Sequence, residues 1–175
     1  MNKHMILFLV GKDRPGIVDE LSKMLFDQGA NIEDSRMAVL GGCFCIMALF
    51  SFPTERFDGI KNGLQYLEEK NQFQISLHES GDPSSRSVQA GLPFTVDLQA
   101  MDHPGIVNSV VHALHHHNAN ILSLNTQVIN APLSGAPLFD LSLKASVPPD
   151  APIAKIKADI SKIAEEMNLD VDFRK

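Results

Sequence analysis

Asp13-Arg14-Pro15-Gly16-Ile17-Val18 returns later in the chain as Asp102-His103-Pro104-Gly105-Ile106-Val107, and this repeat decides the fold. The offset is 102 − 13 = 89 residues, and the same offset carries Ala30-Asn31-Ile32 onto Ala119-Asn120-Ile121. One register kept through a turn, a helix and the start of a strand marks an internal duplication. The 175 residues therefore read as two similar small units.

Working outward from the turn, alternating apolar residues precede it in both halves: Met5, Leu7 and Leu9, then Phe94, Val96 and Leu98. A helical stripe follows it, Ile17, Val18, Leu21, Met24 and Leu25 in the first half and Ile106, Val107, Val110, Ala113 and Leu114 in the second. Strands starting at Asn31 and Asn120 turn back through Gly41-Gly42 and through a longer loop, Asn130 to Gly135, whose extra length raises the offset to 95. Phe44, Ile46 and Ala48 then answer to Phe139, Leu141 and Leu143. A second helix (Phe57, Ile60, Leu64, Leu67 against Ile153, Ile156, Ile160, Ile163) and a last strand (Phe73, Ile75, Leu77 against Leu169, Val171, Phe173) complete each unit.

The order βαββαβ implies an α+β fold: two tandem ferredoxin-like domains, each a four-stranded antiparallel sheet with both helices on one face. Strands of about six residues and helices of about 13 have matching lengths near 20 Å. Polar, turn-rich Ser80 to Ser87 reads as a connection, giving domains at 1–80 and 91–175 with a linker at 81–90.

Fifteen basic against twenty-one acidic residues leave a net charge of −6, which repels phosphate and argues against direct DNA or RNA binding. Met1 to His4 runs straight into a short apolar strand, too short for a signal or membrane segment, so the expected location is the cytoplasm. Cys43 and Cys45, the only cysteines, share one strand face and read as small apolar residues rather than as metal or redox ligands. His112 and His116 have the i, i+4 spacing of a metal pair, but no His-Glu-x-x-His pattern accompanies them, and imidazoles at a helix C-terminus also complement its dipole. With no nucleophile motif and no phosphate-cradling loop, no catalytic site, metal or cofactor is expected.

The turn itself has ligand chemistry. Gly16 and Gly105 remove a Cβ at a helix start, where free N–H groups accept a small anion such as a carboxylate. Asn31 and Asn120, read as lying alongside, offer a donor and an acceptor. The same residues also fit plain structural roles, with Asp and Pro starting the helix and Asn closing it.

A βαββαβ unit with Asp-x-Pro-Gly-Ile-Val at its first turn and Ala-Asn-Ile at its second strand resembles the ACT domain, a regulatory module that binds small ligands, often amino acids. Two such units filling the chain resemble the glycine cleavage system transcriptional repressor family. The Asp-Arg-Pro-Gly-Ile-Val start also resembles the first domain of formyltetrahydrofolate deformylases, which need a further catalytic domain. The resemblance implies ligand contacts at Asp13, Gly16, Ile17 and Asn31 and at Asp102, Gly105, Ile106 and Asn120, with the aspartates pairing with an α-ammonium group. It also implies a non-catalytic regulator, with glycine as the ligand and a transcription activator of glycine cleavage genes as the protein partner. The alternative is an allosteric accessory subunit of a separately encoded metabolic enzyme.

One expectation comes from a difference between the halves. Residues alternating with the core set point to the outer sheet face: Ile6, Phe8, Val10, Cys45, Met47 and Leu49 in the first half, all apolar. Their counterparts are Thr95, Asp97, Gln99, Asp140, Ser142 and Lys144. A bare apolar stripe of this kind predicts an interface, most simply in a homodimer.

Overall fold

The computed structural model describes residues 2–81, 91–131 and 135–174. The chain divides into two compact units, Met1–Ser87 and Val88–Lys175. The expected linker at 81–90 lies, beyond Gly81, outside the described residues.

The first unit runs β1 (Asn2–Lys12), α1 (Ile17–Asp27), β2 (Asn31–Leu40), β3 (Cys43–Pro53), α2 (Phe57–Asn71) and β4 (Gln74–Ser80). The second runs β5 (Leu92–Met101), α3 (Ile106–His116), β6 (Asn120–Asn130), β7 (Pro137–Val147), α4 (Ile153–Met167) and β8 (Asp170–Arg174). Both sheets are antiparallel, ordered β2-β3-β1-β4 and β6-β7-β5-β8, so the first and third strands of each unit are the central pair.

The central strands are longer than expected. β1 and β3 each span 11 residues, because pairing continues past the apolar stretch to Asn2↔Pro53 at one end and Lys12↔Cys43 at the other. The duplication extends to irregularities. Register slips between Ile32 and Asp34 and again between Ile121 and Ser123, 89 residues on, put a bulge at Glu33 and at Leu122.

The core of each unit lies between its sheet and its helices. Met5, Leu7, Leu9, Phe44, Ile46 and Ala48 are buried against Leu21, Leu25, Ile60 and Leu64. Phe94, Val96, Leu98, Leu141 and Leu143 do the same against Val110, Leu114, Ile156 and Ile160. Val18 and Val107, expected in the helical stripe, are instead 42% and 37% exposed. Both lie in the first turn, at nearly the same angle as the buried Leu25 and Leu114 seven residues on, so their place at the start of the helix rather than their angle exposes them.

Helix endings correct another expectation. Leu25 C=O accepts from Ala30 N–H at 2.9 Å and Phe26 C=O from Gly29 N–H at 2.8 Å, the reciprocal bonds of a Schellman ending. Leu114 with Ala119 and His115 with Asn118 repeat it, at 3.1 and 2.9 Å. Closure thus belongs to Gly29 and Asn118, and neither Asn31 nor Asn120 closes a helix.

Candidate functional site

Each helix-start turn is built on a glycine. Gly16 (φ 90°) and Gly105 (φ 102°) are the N-caps of α1 and α3, in a left-handed conformation that a side chain opposes, and no side chain caps either helix. Asp13 and Asp102 are therefore not capping residues; both are exposed. The first bonds within the helices are Glu20 N–H to Gly16 C=O and Ser109 N–H to Gly105 C=O, both 2.9 Å. The N–H groups of residues 17–19 and 106–108 have no acceptor within their own helix, which leaves a positive pole at each turn.

The surroundings of the two turns differ. In the first unit Arg14 places Nη1 and Nη2 each 2.9 Å from the two Glu20 carboxylate oxygens, and Nη2 donates to Asn71 Oδ1 at 2.6 Å. Its guanidinium also lies over the Phe73 ring, 5.7 Å from the centroid. Hydrogen bonding to Arg14 holds the Glu20 carboxyl below its ordinary pKa, and the same bond raises that of the guanidinium. This bidentate clamp ties the turn to both helices beside Gly16, where a Cβ would lie in ordinary contact, 3.7 Å from Arg14 Nη1.

The second unit replaces all three members of the clamp. Arg14, Glu20 and Asn71 correspond to His103, Ser109 and Met167. His103 makes only looser contacts, Nδ1 to Pro104 O at 3.2 Å and Nε2 to Met167 O at 3.4 Å. An open, largely apolar cavity of about 530 Å³ lies at this turn, lined by His103, Gly105, Ile106, Asn108, Val111 and Phe139 among others. That volume is in the range of small-molecule sites. Gly105 and Ile106 were expected at a site; Asn108, Phe139 and His103 were not. The one available signal for them was the Arg14-to-His103 difference inside the repeated motif.

The expectation that Asn31 and Asn120 lie beside the turns is wrong. Asn31 pairs with Ser51, which pairs with His4, whereas the turn follows Lys12. Eight strand residues, about 27 Å, separate those two levels. Asn120 pairs with Ser146, at the level of Pro93, eight residues from Met101. The cause is elementary: α1 and α3 carry the chain back along the strand, so the next strand starts at the opposite end of the sheet. The turn's near neighbour is the hairpin, with Asp13 N–H donating to Gly42 C=O at 3.1 Å. Both asparagines are exposed, and among the described residues neither amide side chain has a partner.

The expected outer-face residues of the first sheet come together as three cross-strand rungs, Ile6↔Leu49, Phe8↔Met47 and Val10↔Cys45. Phe8 is 40% exposed and Met47 44%. The aligned rungs of the second sheet are Thr95↔Lys144, Asp97↔Ser142 and Gln99↔Asp140. Polar partners surround these: Arg174 Nε lies 2.8 Å from Asp97, and Gln99 and Gln127 donate to Asp140 at 3.0 and 3.1 Å. No helix of the described residues is long and apolar enough to cross a membrane.

Residues 3–78 and 94–174 match the model of the ACT domain family. The chain is similar to the glycine cleavage system transcriptional repressor of Escherichia coli (strain K12), at 25% identity over 165 residues that cover 94% of this chain and 86% of that protein. The protein of the same name from Shigella flexneri matches with the same identity and coverage. A crystal structure of an unknown protein from Galdieria sulphuraria, 29% identical, aligns with a TM-score of 0.84 over 99% of this chain and 98% of that one.

Proposed function

The chain belongs to the ACT domain family, and on that premise we propose that it is a non-catalytic, amino-acid-sensing regulator built from two modules, 1–80 and 91–175, joined by 81–90. The observation that carries this reading is the repeated glycine turn, which starts a helix at Gly16 and at Gly105 with no side chain capping its first N–H groups. A carboxylate is the anion that suits this pole, and Asp13 or Asp102 beside it suits an α-ammonium group. Ile17 and Ile106 begin the helices that present the N–H groups. Of the two turns, the second is the more open, with a cavity beside it instead of a clamp.

The similarity to repressors of the glycine cleavage system supports glycine as the ligand and regulation of glycine cleavage genes in the cytoplasm as the task. Net charge −6 supports action through a protein, a transcription activator, in preference to direct contact with DNA. A role for Asn31 or Asn120 on a ligand at a glycine turn requires that the turn belong to another unit, since an amino acid does not span the roughly 27 Å within one unit. The outer face of the first sheet (Ile6, Phe8, Val10, Cys45, Met47, Leu49) supplies an isologous surface for a homodimer.

A thermal-shift panel of the common amino acids tests the sensing role. A ligand at 100 times its Kd adds about 2.7 kcal/mol of stability, and glycine is expected to give the largest shift. In parallel, the pure protein is expected to give no sequence-specific mobility shift with duplex DNA at sub-micromolar concentration. Co-purification of an enzyme in place of a transcription factor would move the assignment to an accessory subunit.

A further inference from the structure

We propose that His112 and His116, on the last turns of α3, form a two-point chelate for a divalent first-row transition metal ion, with nickel and copper preferred over zinc. The pair lies outside both turns and both sheet faces, and the function proposed above does not use it.

The two Nε2 atoms converge to 2.9 Å, with ring centroids 4.3 Å apart and planes at 77°. Convergence is not what a helix dipole alone produces. Two imidazolium groups drawn to the same carbonyl end repel each other and point separately into water. At 2.9 Å the two Nε2 atoms are within hydrogen-bond distance of each other. Two neutral rings that carry their hydrogen on Nδ1 leave an Nε2 lone pair on each side of this gap for one metal ion.

Geometry also selects among ions. Two bonds of about 2.05 Å that meet at a right angle hold their nitrogens about 2.9 Å apart, whereas a tetrahedral angle needs about 3.4 Å. The observed spacing matches adjacent positions of a square or octahedral ion, the preference of copper and nickel. Both side chains are exposed at a cavity of about 380 Å³ that Asp159 of α4 also lines. His117 Nε2 lies 2.8 Å from Asp159 Oδ2, which anchors that carboxylate at the rim. Among the described residues no cluster of three or more His, Cys, Asp or Glu encloses an ion. The chelate is therefore open, with water completing the coordination.

The test is calorimetric titration of the full chain with nickel chloride and copper sulfate in a non-coordinating buffer, with circular dichroism confirming the fold of each variant. One ion per chain is expected. Affinity should fall roughly tenfold or more in His112→Ala and in His116→Ala and stay unchanged in His115→Ala. Zinc should bind more weakly than nickel. Absence of saturable binding, binding that survives His112→Ala, or zinc binding tighter than nickel would each overturn the proposal.

Discussion

Position for position, the central rungs of the first sheet, Ile6–Leu49, Phe8–Met47 and Val10–Cys45, become Thr95–Lys144, Asp97–Ser142 and Gln99–Asp140 in the second. Beneath them the buried residues stay apolar in both units, down to matched bulges and matched helix endings. The duplicated chain has kept what holds the fold and changed what faces outward. The turns tell the same story: one Gly start is clamped by Arg14, Glu20 and Asn71, and the other opens onto a cavity. Core packing constrains both halves alike, because a lost methylene there costs stability wherever it occurs. Exposed positions carry no such cost, so the differences mark where the two units do different things.

The largest expected effect breaks that comparison at the sheet. Phe8→Asp with Met47→Lys places charge on the proposed dimer face and should weaken association by about 100-fold, read by sedimentation velocity, with the fold unchanged by circular dichroism. Lys144→Ala, the counterpart of a change at Leu49, should leave association alone. A wild-type chain that sediments as a monomer at high concentration would remove the interface from the account.

Next come the turns. Gly16→Val and Gly105→Val each force a branched residue into a left-handed conformation and should cost about 1–3 kcal/mol in chemical denaturation. Gly105 faces open space apart from Met167 Cε at 3.8 Å, so strain rather than collision sets its cost.

A smaller effect separates the turns by pH. The folded-state pKa of Glu20 is lowered by Arg14, so this pair contributes stability above the ordinary glutamate range and loses it as pH falls through the lowered value. Glu20→Gln should therefore flatten the acid side of the stability profile of the first unit, followed through its amide resonances in the full chain. The second unit has Ser109 at that position and should be unaffected by the substitution. Equal acid sensitivity of the first unit before and after Glu20→Gln would show the clamp to be energetically silent.

Much of this was legible in the residues. The βαββαβ order predicts strand order and the central pair, and alternation predicts the six outward residues, because a period of two on a strand leaves no freedom once one face is buried. Connectivity in three dimensions was harder to read. Asn31 sits beside the turn in the motif but about 27 Å from it in the sheet, since sequence adjacency across a helix reverses ends. Val18 and Val107 were misplaced because the periodicity gives the angle of a residue but not whether the sheet reaches the first turn of the helix. The Arg14 clamp reaches 57 residues along the chain to Asn71, a distance over which no local pattern signals a partner.

The smallest predicted effect follows from that correction. Asn31→Ala, at an exposed amide with no partner among the described residues, should change stability by less than about 0.5 kcal/mol.

Calorimetric titration of the full chain with glycine, wild type beside Gly105→Val and Gly16→Val, decides whether the glycine turns hold a small amino acid. Saturable binding by the wild type, lost in Gly105→Val while that variant remains folded and less affected in Gly16→Val, is the predicted result. Glycine binding of equal strength in all three proteins, or no saturable heat with any amino acid, would contradict it.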